Sequence, residues 1–293
     1  MAQRGPLPAE GGEPPPADAD GHGAVEREEW SCCAGAWSRG RAALAVEAPV
    51  ALQYNGISHA VMLATPRDLE EFALGFSLSE GIVSGPGEVY RIDVQGGERG
   101  ITLAIEIGSG AFARLKERRR TLAGRTGCGI CGTESLDQVL RPLPALPAAS
   151  QPLAPAALAA ALAGLPARQP LQEKTGATHG AAWCASTGAI VQLREDVGRH
   201  NALDKLIGAL ARAPRDGGAA GVPDGFALIT SRASVEMVQK AAMAGIGILA
   251  AISAPTSLAL EVAERCGLTL IGFARGARFS VYSHRERLAA PGP

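Results

Sequence analysis

Residues 226–274 read FALITSRASVEMVQKAAMAGIGILAAISAPTSLALEVAERCGLTLIGFA. Short apolar runs at 226–230, 246–252 and 268–274 alternate with two segments of helical length, the second of which ends at Gly267. Alternation at this spacing is typical of strands that lie parallel in one sheet and are covered by helices. A further strand is expected at 278–283. This stretch therefore predicts an α/β fold with a partly parallel sheet.

The same unit is expected to begin upstream, with a hairpin formed by residues 177–185 and 189–193. A helix should follow the hairpin, because Leu203, Leu206 and Leu210 recur on one helical face. We place a C-terminal α/β subdomain at 171–285 and a short tail at 286–293.

A smaller α+β subdomain is predicted at 41–145. The apolar runs 50–54 and 57–64 are joined by Asn55-Gly56, a strong hairpin signal. Thr65-Pro66 should begin a helix that ends before Gly81, and strands are expected at 89–95 and 101–107. The order of elements is then ββαββ.

Two segments lack a regular apolar pattern. Residues 1–40 are rich in Pro, Gly and acidic side chains, a composition typical of a disordered tail. Residues 146–170 are rich in Pro and Ala and are predicted to be a linker that contains one helix near 155–163.

Composition excludes several classes of protein. With 46% hydrophobic residues in 293, the chain is typical of a globular protein, and no apolar run reaches the roughly 20 residues needed to span a membrane. The start lacks the apolar stretch of a secretion signal, so we expect a cytoplasmic protein. Residues 31–293 carry 26 basic and 22 acidic side chains, since residues 1–30 hold two of the 28 and seven of the 29. The resulting charge of +4 is too small for a nucleic-acid binder.

The most distinctive motif is GRTGCGICGTES at 124–135, in which Cys128 and Cys131 are spaced C-x-x-C among glycines. Glycine disfavours regular structure, so the sequence predicts a flexible loop that carries thiol chemistry. Thr133 is expected to cap a short helix, whose positive end, with Arg125 nearby, would favour the reactive thiolate form.

A C-x-x-C pair alone is compatible with a zinc site, a redox pair or a sulfur carrier. Zinc would need two more ligands, and the downstream candidates form neither a second C-x-x-C nor a pair of closely spaced histidines. A rigid redox pair would sit between a strand and a long helix, a context that this sequence lacks. These patterns favour a carrier and no resident metal. The downstream zinc candidates are His179, Cys184, His200 and Cys266.

Several longer blocks together closely resemble the formate dehydrogenase accessory sulfurtransferase family, FdhD. The resemblance covers about residues 42–285. The blocks are YNGISHAVM at 54–62, ATPRDLEEFALGF at 64–76, SEGI at 79–82, GCGICG at 127–132, TGATH at 175–179, EDVGRHNALDK at 195–205 and TSRAS at 230–234.

This resemblance implies a cytoplasmic sulfur carrier that dimerises. It would accept sulfur as a persulfide from a cysteine desulfurase and pass it to molybdenum in the bis(molybdopterin guanine dinucleotide) cofactor, its bound substrate, which formate dehydrogenase needs. The persulfide would form on Cys128, with Cys131 as the supporting thiol. The resemblance also implies a cytidine-deaminase-like fold for the larger subdomain, although the deaminase H-x-E and P-C-x-x-C order is absent.

The carboxyl end of a predicted strand is a common ligand-binding position in open α/β sheets, and here it carries two guanidinium groups that suit phosphate oxygens. The resemblance implies that the guanine dinucleotide binds at this segment. An exposed basic turn is the alternative explanation. This segment consists of Phe273, Ala274, Arg275, Gly276, Ala277 and Arg278.

A second set of polar residues is expected to line the cleft in which the cofactor binds. His200, Asn201 and Asp204 share one helical stripe, for which a solvated face is the competing explanation. His179 is as compatible with a structural role, and Ser231 precedes a helix that could hold an anion but could equally be an ordinary cap. His59, Cys184 and Cys266 are expected to be structural.

The sequence leaves two rival functions open. The first is a non-catalytic chaperone that only binds the molybdenum cofactor and the apo-form of formate dehydrogenase. The second is a binding module stabilised by zinc.

Overall fold

The computed structural model describes residues 23–123, 142–148, 151–213, 222 and 224–290. In this part of the chain, twelve strands form sheets of two, four and six strands, accompanied by seven α-helices. The predicted mixed α/β architecture is confirmed. The C-x-x-C motif lies outside the described residues.

A hairpin precedes the first predicted strand. Strand β1 (Ala24–Cys33) pairs antiparallel with β2 (Ala36–Ala45). At the turn, Ala34 and Gly35 have φ values of 49° and 87°, as a tight hairpin turn requires. The predicted disordered tail at 1–40 is therefore wrong for residues 24–40. The turn lacks the Asn-Gly signal, and the strands lack an apolar period because they are exposed.

The four-stranded sheet contains the predicted ββ and ββ pairs in the order β4-β3-β6-β5. The Asn55-Gly56 turn is confirmed, with φ values of 47° and 80°. β3 also pairs in parallel with β6, so the last strand of the unit is inserted beside the first. The strands are β3 (Ala48–Tyr54), β4 (Ile57–Ala64), β5 (Val89–Gly97) and β6 (Gly100–Ile107).

Two helices cover one face of this sheet: α1 (Leu69–Ser79) and α2 (Ser109–Ala123). Helix α1 begins later than predicted, after Asp68. Thr65 is not its cap, because the Thr65 amide donates to the Asp196 carboxylate at 3.0 Å and its hydroxyl accepts from the Val197 amide at 3.2 Å. The polar groups of Thr65 are engaged in this tertiary contact and are not available to cap the helix.

The helix predicted near 155–163 is confirmed as α3 (Pro155–Gly164), but the surrounding segment is not a linker. Ala157, Leu158 and Ala161 of α3 are buried in a core cluster with the six-stranded sheet. Alanine and leucine at this spacing give a helix with a small apolar face. A short helix, α4 (Pro170–Thr175), follows.

The six-stranded sheet has the order β12-β11-β10-β9-β7-β8. Strands β9, β10 and β11 are parallel, whereas β7 and β12 run antiparallel to their neighbours. The strands are β7 (His179–Ala185), β8 (Ile190–Asp196), β9 (Gly225–Ile229), β10 (Ile248–Ala251), β11 (Thr269–Arg275) and β12 (Arg278–Val281).

Three helices cover the face of this sheet opposite α3. They are α5 (Arg199–Arg212), α6 (Val235–Met243) and α7 (Ser257–Cys266). Thr256 caps α7 by accepting from the Ala259 amide at 3.3 Å. Gly267 ends the helix with φ 78°, as the sequence predicts.

The predicted C-terminal tail at 286–293 is wrong for its first residues. Arg287 is buried and donates to the main-chain oxygens of Pro147, at 2.5 Å, and Gly267, at 2.8 Å. Leu288 packs in the core under α3. The Arg287 guanidinium satisfies carbonyl groups of two separate loops. The sequence alone shows only a charged residue in this segment and cannot reveal these contacts.

Candidate functional site

One edge of the six-stranded sheet collects most of the predicted site residues. The carboxyl ends of β8, β9, β10 and β11 lie there, together with the first residues of β7 and β12. Helices α5, α6 and α7 all begin at this edge. Open α/β sheets bind ligands at such edges, and helix N-termini favour negatively charged ligand groups.

The Phe273–Arg278 segment forms the turn between β11 and β12. Arg275 and Arg278 are paired across the strands and exposed, and neither has a carboxylate partner among the described residues. Gly276 has φ 56° and open space around the position of a Cβ. The turn therefore presents two uncompensated guanidinium groups to solvent.

The remaining members of this segment differ in exposure. Phe273 is exposed with φ 52°, and its amide donates to the Ser253 oxygen at 3.1 Å. Ala277 is exposed, whereas Ala274 is buried and cannot contact a ligand through its side chain.

The loop after β9 is fixed to β7. The Thr230 hydroxyl accepts from the Gly180 amide at 2.9 Å, and the Thr230 amide donates to the Gly180 oxygen at 3.0 Å. Ser231 is buried next to this contact, and its hydroxyl donates to the Arg232 oxygen at 3.1 Å. The predicted Ser231 thus lies at the sheet edge, with its hydroxyl used within the loop.

His179 and His200 lie near Arg199, the first residue of α5. Burial lowers the pKa of His179, and the Arg199 charge lowers it further. Burial followed by the charges of Arg199 and Lys240 lowers the pKa of His200 to about 4. Both imidazoles are therefore neutral at pH 7. In each ring one nitrogen donates a hydrogen bond and the other accepts one.

Two buried nitrogens at the start of α5 have no hydrogen-bond partner among the described residues: Nε of Arg199 and Nε2 of His200. A buried polar group without a partner is costly unless a ligand or water satisfies it. These atoms are therefore suited to a ligand bound at this edge.

The other two members of the predicted polar stripe are interior residues. The Asn201 amide donates to the Leu63 oxygen at 2.8 Å and to Asp196 at 3.0 Å. Asp204 is fully buried, accepting from the Ser79 hydroxyl at 2.6 Å and from Lys240 at 2.9 Å. Both side chains bind elements of the fold, so the stripe is neither a solvated face nor, in these two members, a ligand-facing one.

Asp204 forms a buried ion pair with Lys240, which also contacts the partly exposed carboxylate of Glu80. Burial raises the pKa of Asp204 to about 6, because attraction by Lys240 and its hydrogen bonds offset only part of the desolvation. Burial acts to lower the pKa of Lys240, but the carboxylates of Asp204 and Glu80 outweigh it and raise that pKa. The Lys240 ammonium lies 2.7 Å from Glu80.

A second buried ion pair involves the next residue of α5. Lys205 and Asp196 are both fully buried, with 2.6 Å between Nζ and Oδ2. Lys205 also donates to the Thr65 oxygen at 2.8 Å. Burial lowers the pKa of Lys205, an effect that Asp196 opposes.

Arg199, Lys205 and Lys240 were not predicted as special positions. Arg199 could have been found, because a cation at a helix N-terminus is unfavourable unless something else requires it there. The two lysines stand on apolar helical faces, and lysine is almost never fully buried unless it is paired.

The described cysteines fall into two groups. Cys184 and Cys266 are buried, and burial raises the pKa of Cys184 to about 12, so the prediction of structural roles agrees with their placement. Cys32 and Cys33 are exposed on the hairpin. Cys128 and Cys131 lie outside the described residues, so the persulfide assignment remains a prediction.

Across the described ranges, no three side chains of the metal-ligating types His, Cys, Asp and Glu converge in a way that could hold an ion. Over the same ranges, no helix has the length and apolarity needed to cross a membrane.

Comparison with known proteins identifies the relatives of this chain. A protein of Cupriavidus necator named sulfur carrier protein FdhD is 56% identical over 257 residues, which cover 86% of this chain and 87% of that protein. Proteins of the same name from Variovorax paradoxus and Bordetella petrii are 56% and 55% identical, each match covering 84% of this chain and 86% of the relative.

A solved structure shows the same fold. It is described as a putative formate dehydrogenase accessory protein from Desulfotalea psychrophila, with a TM-score of 0.70 and 24% identity over 91% of this chain and 99% of that one. The model of the FdhD/NarQ family matches residues 45–289. Because that match and the relatives both span most of the sequence, the chain belongs to the FdhD/NarQ family.

Proposed function

We propose that this protein is a sulfur carrier in the maturation of formate dehydrogenase. It accepts sulfur from a cysteine desulfurase and delivers it to the molybdenum cofactor, bis(molybdopterin guanine dinucleotide), which is its bound substrate. The observation that carries the proposal is the unpaired positive charge and the unpartnered nitrogens at one sheet edge, in a chain whose relatives are named sulfur carriers.

The residues at this edge suit a large anionic substrate. Exposed Arg275 and Arg278 match phosphate oxygens, since a guanidinium donates in a planar fork. At the other side of the edge, Arg199 and neutral His200 offer donors in a half-buried setting. β11 and β7 are separated by three strand spacings, about 14 Å, so one extended dinucleotide could reach both groups.

In the loading step, the Cys128 thiolate attacks the terminal sulfur of the donor's cysteine persulfide. The donor thiolate leaves, and Cys128 carries the sulfur as a new persulfide. In the release step, the Cys131 thiolate attacks the inner sulfur of Cys128, forms a disulfide and expels hydrosulfide toward the molybdenum. A cellular dithiol then reduces the disulfide, which returns both thiols.

The test is a loading assay with a cysteine desulfurase and L-cysteine, read by intact-mass spectrometry. Wild-type protein should gain the mass of one sulfur atom, and Cys128→Ala should not. Cys131→Ala should load and release slowly. Because Cys32 and Cys33 are exposed thiols, the Cys32→Ser/Cys33→Ser variant is the matched control and should load normally.

Two outcomes would contradict the proposal. Loading of Cys128→Ala at the wild-type level would place the sulfur elsewhere. Full maturation of formate dehydrogenase by the Cys128→Ser/Cys131→Ser variant would instead support the function of a non-catalytic chaperone.

A further inference from the structure

Arg232 lies in the loop that follows β9, at the sheet edge that collects the predicted site residues. In the strand order, β9 stands between β11, which leads into the Arg275–Arg278 turn, and β7, which begins with His179. The side chain of Arg232 is exposed, although both of its neighbours in the chain are buried. Arg232 is therefore placed between the two groups of donors that the proposed function assigns to the substrate.

The main chain on both sides of Arg232 is held in place. Before it, Thr230 is fixed to β7 by the two hydrogen bonds described above. After it, the Ala233 amide donates to the Ala254 oxygen at 3.2 Å, and the Ala233 oxygen accepts from the Thr256 amide at 3.1 Å. A loop that is already ordered loses little conformational entropy when a ligand binds. The loop therefore presents the Arg232 side chain from a fixed position.

The Arg232 guanidinium has neither an ion pair nor a hydrogen bond within the part of the chain that the structure describes. Arg194 and Arg212 differ in this respect, because each of them is paired with a carboxylate of α1. Four arginines lie along the site edge, and none of the four has an ion pair with a described residue. Like charges gathered in this way raise the local positive potential, which favours an anionic ligand. The four are Arg199, Arg232, Arg275 and Arg278.

The separation between Arg232 and the β11–β12 turn suits a diphosphate group. Strands β9 and β11 are two strand spacings apart, which is about 10 Å. Long side chains that extend from both positions can therefore hold one diphosphate between them. A guanidinium can donate two parallel hydrogen bonds to a phosphate, so the two sides can each bind one phosphate group.

We infer that Arg232 binds the pyrophosphate of the dinucleotide substrate at the phosphate farther from the guanosine. Arg275 and Arg278 bind the phosphate next to the guanosine. The guanosine then lies toward β12, and the molybdopterin end lies toward β7, where His179 and His200 are located. This inference rests on the proposed function, to which it adds one binding residue and the direction in which the substrate lies.

Calorimetric titration of the full chain with GDP and with GMP tests this assignment. The terminal phosphate of GDP stands in for the farther phosphate of the pyrophosphate, and GMP lacks it. Because a charge-assisted contact is at stake, wild-type protein should bind GDP about tenfold or more tightly than GMP. Arg232→Ala should weaken GDP binding by about the same factor and change GMP binding little, so that most of the preference for GDP is lost.

Two further variants serve as controls. Arg232→Lys keeps the charge but loses the planar fork, so it should recover only part of the GDP affinity. Arg265→Ala removes an exposed positive charge at the far end of α7, and because salt screens charges at that distance, both affinities should stay within about twofold. Urea unfolding should be unchanged in both Arg232 variants, since this side chain has no partner among the described residues.

The outcomes separate this inference from the proposed function. If wild-type protein binds GDP and Arg232→Ala weakens GDP and GMP equally, or weakens neither, this inference alone is overturned. Full recovery of GDP affinity by Arg232→Lys would also overturn it, because charge without the fork would then suffice. If wild-type protein binds neither nucleotide, the proposed substrate site and this inference fail together.

Discussion

Gly75 of α1 lies directly against the main-chain oxygen of Asp204 in α5. A Cβ added at Gly75 would be 1.7 Å from that oxygen, and one at Gly208 would be 1.9 Å from the Glu71 oxygen. The two helices therefore meet backbone to backbone. Since α1 covers the four-stranded sheet and α5 the six-stranded sheet, this contact joins the two layers.

Alanine at either glycine should force the helices apart. We expect Gly75→Ala and Gly208→Ala each to lower the free energy of unfolding by about 3 kcal/mol, because the neighbouring atoms are main-chain and cannot move aside. Urea unfolding gives the change. Gly85→Ala, where a Cβ meets open space, should stay within about 0.5 kcal/mol and serves as the control.

The buried Lys205–Asp196 pair should be costly to break from one side. Lys205→Met leaves the Asp196 carboxylate buried without its counter-charge, so we expect a loss of about 3–5 kcal/mol in the free energy of unfolding. Arg212→Ala removes the exposed pair with Glu70 on the same helix and should cost less than about 1 kcal/mol. Equal losses in the two variants would show that burial of the pair does not matter.

The buried groups of α5 should give opposite dependences on pH. The folded-state pKa of Asp204, about 6, is above its reference value of 3.8, so the folded protein binds the extra proton and stability falls as pH rises through this window. The folded-state pKa of His200, about 4, is below its reference value of 6.5, so stability falls as pH drops through that window. In the wild type the two slopes largely cancel.

Single variants should separate these slopes. Asp204→Asn leaves the His200 contribution, so stability should decrease as pH falls from 6.5 to 4, by about 1.4 kcal/mol per pH unit. His200→Gln should do the reverse and gain stability as pH falls from 6 toward 3.8. Urea unfolding at several pH values measures both. If stability changed with pH in the same direction in both variants, the assignment of these slopes to Asp204 and His200 would be contradicted.

Exposure should decide which described thiols react. Iodoacetamide applied to the native protein should modify Cys32 and Cys33 and spare Cys184, whose pKa of about 12 and burial keep it protonated and inaccessible. Peptide mapping by mass spectrometry gives the modified positions, and unfolding in guanidinium should expose Cys184 as the positive control. Rapid native modification of Cys184 would mean that the β7 region opens.

Local signals predicted most of the elements in this fold. The Asn55-Gly56 turn and the helix end at Gly267 both act through neighbouring residues, and each is where the sequence places it. Thr65 misled the prediction because its partner, Asp196, is 131 residues away. Local propensity carries no information about a contact between residues so far apart in sequence. It also failed to predict the β1–β2 hairpin, because exposed strands need no alternating apolar pattern.

The sequence predicted which site residues lie near one another better than it predicted which of them are buried. The rule that ligands bind at the carboxyl ends of parallel strands pointed to the segment with Arg275, and the structure places His179, the first residue of β7, at the same edge of the sheet. Helical periodicity also placed Asp204 on the stripe of His200, but it could not show that Lys240, from another helix, covers the Asp204 carboxylate. Burial by a distant element is decided by packing, not by periodicity.

The basic turn between β11 and β12 should bind guanine nucleotide. With GDP as the probe, Arg275→Ala and Arg278→Ala should each weaken binding about tenfold or more, since a charge-assisted hydrogen bond contributes about 1.5–3 kcal/mol. Isothermal titration calorimetry gives the Kd, and added salt should narrow the difference between wild type and variant. Arg91→Ala, which removes an exposed arginine paired with Asp93 on β5, is the matched control.

The two arginines of the turn can be tested without disturbing the fold. Because Arg275 and Arg278 face solvent, neither substitution should alter the free energy of unfolding, so weaker binding would report the lost contact itself. Unchanged GDP affinity in both variants would remove this turn from the proposed substrate site.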